Sequence, residues 1–217
     1  MAIGDNKLDV YSTEEEQVEA IKKWWNENGK SIIAGIVIGV TAIFGWRGYV
    51  THNATQAKAA SILYEQLLLA SRKNDTSNMR NLADSIITDY ESSIYAIFSK
   101  LMLAKIDSES GNLENAEVHL KSILDNKLRD EFKHIARLRL ARVLIANNKL
   151  ESAEKILSEI KSNQFIAHYE ELRGDILVKQ GKTKEAAQAY KNSLANSAKT
   201  EEAQLILQMK LDDLGST

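Results

Sequence analysis

Apolar positions are most concentrated near the N-terminus of this 217-residue chain. Residues 31–46 read SIIAGIVIGVTAIFGW, sixteen positions without a charged side chain. As an α-helix this run would cover about 24 Å at ~1.5 Å per residue. The charged heads of Lys30 and Arg47 can reach outward and so complete a hydrocarbon layer about 30 Å thick. A core helix of a soluble domain would normally carry a polar side, so the pattern predicts a transmembrane helix at 31–50.

The residues around this run also have the character of a membrane boundary. Upstream, a hydroxyl at Ser12 or Thr13 is followed three residues later by a glutamate, which is the spacing of a capping box. It predicts a helix that runs through VEAIKKWWNEN toward the membrane. Aromatic side chains, which favour the lipid–water interface, stand at both ends of the run: Trp24, Trp25, Trp46 and Tyr49.

Basic residues indicate the orientation of the predicted span. Three lysines precede it, at positions 22, 23 and 30, whereas Arg47 and Lys58 follow it. Because cytoplasmic flanks carry the excess of basic residues, we expect the N-terminus in the cytoplasm. The chain is thus predicted to have three parts: a cytoplasmic segment with an amphipathic juxtamembrane helix at 1–30, the transmembrane helix at 31–50, and a repeat domain at 51–217.

A cleaved signal peptide is the alternative to a retained anchor. Ala57-Lys58-Ala59 has the small-x-small pattern of a cleavage site. It lies about ten residues beyond the apolar run, however, and the acidic segment in front is unlike the basic start of a signal peptide. A retained anchor is the favoured interpretation.

Small residues recur at four-residue intervals inside the run. Gly35 and Gly39 form a G-x-x-x-G motif, and Thr41 and Gly45 continue the small-x-x-x-small pattern. Small side chains let a second helix approach closely, and such packing holds helices together in lipid. These four residues are candidate contacts with another membrane helix. The alternative, which stays open, is that glycine is simply common in membrane helices.

Beyond the span, one helical pattern recurs. Three segments read GNLENAEVHLKSIL, NKLESAEKILSEI and GKTKEAAQAYKNSL, and they begin at Gly111, Asn148 and Gly181. Each has an alanine five positions after its turn residue and a large side chain four positions later. With a fainter copy upstream, the alanines are spaced 33, 37 and 33 residues apart: Ala83, Ala116, Ala153 and Ala186. Periods near 34 are typical of tetratricopeptide repeats.

A second small residue precedes each of these alanines by twelve positions: Ser71, Ala104, Ala141 and Gly174. A small residue on each of two helices lets them cross closely while larger neighbours fill the remaining space. Each such hairpin keeps an apolar face that only the next hairpin can bury. The predicted fold class is all-α: a single transmembrane helix followed by a tetratricopeptide-like solenoid of α-hairpins, with a last helix at 199–214.

Three charged residues occupy equivalent positions on the first helix of successive hairpins. Lys105, Arg142 and Asp175 each follow the small residue by one position. In repeat arrays, equivalent positions line an extended groove that binds protein segments. These residues are therefore candidate groove contacts, and ordinary solvated surface charge is the open alternative.

Composition and motifs narrow the functional classes. The chain has no cysteine, which excludes disulfides and thiolate metal sites. Residues 53–217 hold 23 basic and 23 acidic side chains, unlike the basic domain of a nucleic-acid-binding protein. The segment QGKT at 180–183 resembles the end of a phosphate loop but lacks its first glycine. No catalytic residue, metal or cofactor is predicted, and enzymatic activity is not expected.

Several segments resemble one known family. They are EEEQVEAIKKWWNENGK at 14–30, GWR at 45–47, LRLARVL at 138–144, LRGDIL at 172–177 and LQMKLDDL at 207–214. Together they resemble the ancillary subunits of the bacterial SecYEG translocon, the YfgM-type tetratricopeptide-like proteins, over almost the whole chain. The N-terminal block is the most specific part, whereas the stretch MAIGDNKLDVYS departs from the family.

The resemblance implies a single-pass protein of the bacterial inner membrane, with its N-terminus in the cytoplasm and its repeat domain in the periplasm. It implies three partners: the SecYEG translocon, a PpiD-type membrane-anchored periplasmic chaperone, and exported client chains. It also implies a link to a stress-response regulator. The expected function is a non-enzymatic translocon subunit that helps newly exported proteins. The alternative is a general envelope scaffold or a tether of that regulator.

Overall fold

A computed structural model describes residues 14–125, 130–158, 164–197 and 201–215, and every regular element in these ranges is an α-helix. The helices are α1 (Glu14–Arg72), α2 (Thr76–Asp89), α3 (Ile94–Glu109), α4 (Leu113–Leu124), α5 (Asp130–Ala146), α6 (Leu150–Ser158), α7 (Ile166–Lys179), α8 (Thr183–Asn196) and α9 (Glu201–Gly215). The predicted all-α fold class is confirmed. Ser12 and Thr13 of the predicted capping box, and the first two residues of the predicted last helix, lie outside the described residues.

The first helix is longer than the sequence pattern predicts. α1 runs for 59 residues and contains both the predicted juxtamembrane helix and the apolar segment. The stretch ATQAKAA at 54–60 explains why no turn follows the apolar segment, because alanine, glutamine and lysine are strong helix formers. The predicted boundaries at residues 30 and 50 both fall inside this helix, so the three-part division stays a prediction.

The chain divides into two compact units, Met1–Thr55 and Gln56–Thr217. In the described part of the first unit, α1 is the one regular element. The second unit contains the last turns of α1 together with α2 to α9. The repeat pattern of the sequence belongs to this second unit.

Successive helices of the second unit pair as the repeat pattern predicts. α3 packs on α4, α5 on α6 and α7 on α8, and each pair also contacts the next helix along the chain. The four alanines that define the repeat have no exposed surface: Ala83, Ala116, Ala153 and Ala186 are each 0% exposed. Three of the four partner small residues are also buried: Ala104, Ala141 and Gly174. The small residues therefore lie where two helices of a hairpin meet.

The turn inside each hairpin has one repeated backbone geometry. A residue with positive φ follows the first helix in every case: Asn74, Gly111, Asn148 and Gly181, with φ values of 55°, 80°, 56° and 76°. The N–H after this residue donates back to the helix, as from Asn112 to the Asp107 carbonyl at 2.8 Å and from Lys149 to the Leu144 carbonyl at 2.8 Å. This is the Schellman arrangement, which favours glycine and tolerates asparagine because both enter the left-handed region readily.

The apolar core is divided among neighbouring helices. One cluster joins the end of α1 to α2 and α3, and includes Leu67, Ile86 and Leu103. A larger cluster runs from α3 to α7 and includes Leu120 and Leu144. A small cluster of Leu177, Ala186 and Ala189 then joins α7 to α8, with Leu214 of α9 packed against it. Each cluster is built from helices that are close in sequence, as expected of a repeat array.

Candidate interaction surfaces

The apolar segment of α1 exposes its large side chains. Ile38, Phe44 and Trp46 are 69%, 68% and 69% exposed. Among the described residues, α1 is the helix that is long and apolar enough to cross a membrane. A buried core helix would hide such side chains inside the protein, so that alternative is excluded. The exposed surface is suited to lipid or to other membrane helices.

The small residues of this segment lie on two faces of α1 rather than one. At 3.6 residues per turn, Gly35 and Gly39 lie within about 40° of each other, whereas Thr41 and Gly45 are centred roughly 120° away. A Cβ atom added at Gly35, Gly39 or Gly45 would meet nothing within 4 Å. The Thr41 hydroxyl donates to the Val37 carbonyl at 2.8 Å, so its polar group is satisfied within the helix. Their contact with other membrane helices stays a prediction, now with two separate faces.

Two of the three predicted groove residues line the same cavity. Lys105 of α3 and Arg142 of α5 lie at the edge of a cavity of about 380 Å³ between α3, α4 and α5. Apolar side chains from all three helices line it: Ala104, Leu113, Leu120 and Val143. The volume lies within the range of about 300–1,000 Å³ that is usual for ligand pockets. Lys105 also lines a second cavity of about 310 Å³, formed by the end of α1, α2 and α3.

Arg139 is a third cation at this cavity, and the sequence pattern had not singled it out. It lies three residues before Arg142, so both side chains project from the same face of α5. Its position one helical turn before Arg142 is the sequence signal that identifies it. We call the surface formed by this cavity and by Lys105, Arg139 and Arg142 the cationic groove.

Asp175, the third predicted groove residue, is engaged within the protein instead. Its Oδ1 accepts hydrogen bonds from the Tyr190 hydroxyl at 2.8 Å and from the Lys210 Nζ at 2.7 Å. Lys210 also donates to Glu171 at 2.8 Å and so fastens α9 to α7. The structure therefore does not bring Asp175 together with Lys105 and Arg142, and a partner contact at Asp175 stays a prediction.

Burial and charge act together on the groups around Asp175. Burial and the hydrogen bond to Asp175 raise the pKa of Tyr190 above its usual range. Burial alone would lower the pKa of Lys210, but its hydrogen bonds to Asp175 and Glu171 outweigh this effect and raise it. Lys210 is thus a permanent cation at neutral pH, and the contact between α7 and α9 is an ion pair.

Two of the buried titratable side chains of the array, Asp107 and His134, have partners on other helices. Asp107 is 1% exposed and pairs with the Arg80 guanidinium at 2.6 Å. The Nδ1 atom of His134 lies 2.9 Å from the Tyr169 hydroxyl. Among the described residues, no group of three or more histidine, aspartate and glutamate side chains could hold a metal ion. These contacts join helices to one another.

The chain matches known proteins along nearly its whole length. Residues 22–216 match the family model of a tetratricopeptide repeat-like domain. A Haemophilus influenzae protein named ancillary SecYEG translocon subunit is 32% identical over 206 residues, which are 94% of this chain and 100% of that protein. The chain belongs to the ancillary SecYEG translocon subunit family. The resemblance inferred from the sequence is confirmed.

Other relatives of the same name extend this relation. The Escherichia coli ancillary SecYEG translocon subunit is 28% identical over 207 residues, which are 95% of this chain and 99% of that protein. The Neisseria gonorrhoeae protein is 27% identical over 202 residues, which are 93% of this chain and 97% of that protein. No solved structure matches the chain. In this member of the ancillary translocon subunit family, two exposed surfaces stand out: the apolar segment of α1 and the cationic groove.

Proposed function

We propose that this chain is a non-enzymatic, membrane-anchored accessory subunit of the SecYEG translocon. One observation carries the proposal: relatives named ancillary SecYEG translocon subunit align with it almost from end to end. The match of the family model begins at residue 22, before the apolar segment. The apolar segment and the repeat array therefore both lie within the part of the chain that the relatives share. This is expected of a subunit that works beside a membrane channel.

In this proposal the anchor occupies residues 31–50, residues 1–30 lie in the cytoplasm, and residues 51–217 lie in the periplasm. The apolar segment packs against membrane helices of the translocon. The repeat array holds a PpiD-type periplasmic chaperone close to exported chains as they emerge. The exposed apolar side chains of α1 and the cavity between α3, α4 and α5 support this division of labour.

The translocon contact is tested by purifying the tagged full-length protein from membranes in mild detergent and identifying its partners by mass spectrometry. We expect translocon subunits and a membrane-anchored chaperone in near-stoichiometric amounts. A tagged single-pass protein with an unrelated anchor is the control. If the protein is folded and in the membrane but recovers neither partner, the proposal is wrong, and a general envelope scaffold or regulator tether is the better hypothesis.

The proposed orientation is tested with single cysteines, which the natural chain lacks. Lys184→Cys lies at an exposed position of α8, and Lys22→Cys lies at an exposed position before the apolar segment. In spheroplasts, a membrane-impermeant maleimide should label the first variant at once and the second only after permeabilisation. The reverse pattern would place the repeat array in the cytoplasm and refute the proposed orientation.

A further inference from the structure

The cationic groove combines an apolar floor with a rim of one charge sign. Leu113, Leu120 and Val143 supply apolar surface inside the cavity, and Lys105, Arg139 and Arg142 supply the charge at its edge. All three basic residues are exposed. No aspartate or glutamate lines this cavity in the described part of the chain. The local charge is therefore positive, although the domain as a whole is neutral.

These cations are not used to hold the protein together. Within the ranges that the structure covers, Arg139 and Arg142 form no ion pair or side-chain hydrogen bond. Lys105 contacts Glu109 at 3.7 Å, but the two side chains are 63% and 66% exposed. An exposed pair of this kind contributes little, so Lys105 is also available to a ligand. Arginine in particular presents a planar set of donors that matches a carboxylate.

We propose that the cationic groove binds a short acidic segment of a partner protein, with one large apolar side chain in the cavity and flanking carboxylates on Lys105, Arg139 and Arg142. This inference rests on the proposed function for the source of the partner and adds its chemistry. The apolar floor supplies most of the attraction through burial of the anchoring side chain. The basic rim gives specificity, because it attracts acidic flanks and repels basic ones.

The test is a selection of short random peptides displayed on phage against the full-length protein in detergent micelles. Enriched peptides should share a large apolar residue with aspartate or glutamate close to it. The variant Arg139→Glu/Arg142→Glu should bind the best of these peptides at least about tenfold more weakly. Binding to the natural protein should also weaken as salt is raised, because the contacts are between exposed charges.

Lys184→Glu/Lys191→Glu is the matched control, since it reverses two exposed charges beside a different cavity, between α8 and α9. It should leave the affinity of the selected peptides unchanged. Helical content measured by circular dichroism shows that both variants fold.

Three outcomes would overturn the proposal: no enriched peptide, enrichment without acidic residues, or equal binding to the natural protein and the groove variant. If the groove variant instead loses binding to anionic lipid vesicles while no acidic peptide is selected, the cations serve a membrane surface. Because the selection contains no translocon, its failure is separate from failure of the proposed function. That function is judged by translocon recovery with the unaltered chain.

Discussion

At the scale of single residues, Gly174 and Tyr190 show how one hairpin varies the common pattern. The equivalent pairs in the two preceding hairpins are Ala104 with Leu120 and Ala141 with Leu157. A Cβ atom added at Gly174 would lie 2.3 Å from a ring carbon of Tyr190. Glycine is therefore needed here because a larger side chain fills the position that leucine occupies elsewhere.

Replacing Gly174 with alanine should accordingly destabilise the array. We expect the free energy of unfolding to fall by about 1–3 kcal/mol, the usual cost of overpacking, as measured by urea denaturation in detergent. The double variant Gly174→Ala/Tyr190→Leu should recover part of this loss, because it recreates the alanine–leucine pair. Gly215→Ala, where an added Cβ would meet nothing within 4 Å, is the control. Equal effects of Gly174→Ala and the control would contradict the packing argument.

The sequence predicts which residues are buried or lie in turns better than it predicts contacts between distant helices. The buried alanines could be predicted because they recur every 33 to 37 residues, and three of the four positive-φ turn residues because each precedes its alanine by five positions. Aromatic residues nine positions before the small residue recur in the same way, at Tyr95, Phe132 and Phe165, with spacings of 37 and 33. The contact of Asp175 with Lys210, 35 residues away, has no local signal. It depends on how α9 packs, which only the structure shows.

At the scale of helices, Glu117 ties one hairpin to the next. It lies on α4, and its carboxylate contacts Lys121 at 2.6 Å and Lys149, in the turn between α5 and α6, at 2.8 Å. The hydrogen bonds from Lys121 and Lys149 lower the pKa of Glu117 below its ordinary value of 4.5. Glu154, at the equivalent position of α6, accepts a hydrogen bond from Gln180 beside the following turn. The two glutamates thus join successive hairpins in the same way.

The lowered pKa of Glu117 predicts how stability depends on pH. Because the folded protein holds the carboxylate charged, the stabilisation is present above pH 4.5 and is lost as the pH falls through the lower pKa of the folded state. Glu117→Gln should lower the free energy of unfolding by about 1–2 kcal/mol at neutral pH. The curves for the natural protein and the variant should converge in acid. Glu151→Gln, at an exposed position of α6, is the control, and parallel curves for Glu117→Gln would refute the interpretation.

The two faces of α1 can be tested separately. Gly35→Leu/Gly39→Leu adds bulk to one face. Gly45→Leu/Gly48→Leu adds it to the other, because Gly48 lies within about 20° of Thr41 around the helix. If the first face packs against the translocon, the first pair should reduce recovery of translocon subunits several-fold while the second pair has a smaller effect, because close approach needs small residues. Ile36→Leu/Val40→Leu has the same spacing on a third face and should change nothing. Unchanged recovery with both glycine pairs would show that α1 does not pack through these residues.

The continuity of α1 is the main difference between the predicted and the observed helices. The hydrophobic pattern changes from an all-apolar segment to a one-sided helix, as Ala60, Leu67 and Ala70 enter the core. Such a change of pattern predicts a boundary between two elements. A single helix can nevertheless change its pattern where its surroundings change, provided that no residue breaks the backbone hydrogen bonds.

At the scale of the whole molecule, the divided core predicts that damage stays local. Lys210→Met removes the cation that joins α9 to Glu171 and Asp175 of α7, but keeps an apolar side chain of similar length. Hydrogen exchange should therefore rise in α9 and α8, with a local cost of about 1–3 kcal/mol. It should change little in α2 to α4, because in the part of the chain that the structure describes those helices share no apolar cluster with α9. Lys155→Met, at an exposed position of α6 away from α9, is the control.

A uniform rise in exchange across all helices would instead mean that the array unfolds as one cooperative block. The same experiment thus measures how far a disturbance travels along the repeats. Sequence analysis predicts the order of the hairpins but not this distance, because the strength of each interface depends on contacts such as those of Lys210 and Glu117.

The divided core also has a mechanical consequence. A protein with one shared core resists stretching until it ruptures in a single event. Here the small cluster of α7, α8 and α9 is separate from the larger cluster that runs from α3 to α7, so a load applied through α9 would detach α9 and α8 before the larger cluster opens. The detached helices would leave the larger cluster in place and could dock again when the load falls. Under load the repeat array would then unfold in successive reversible steps rather than in one event.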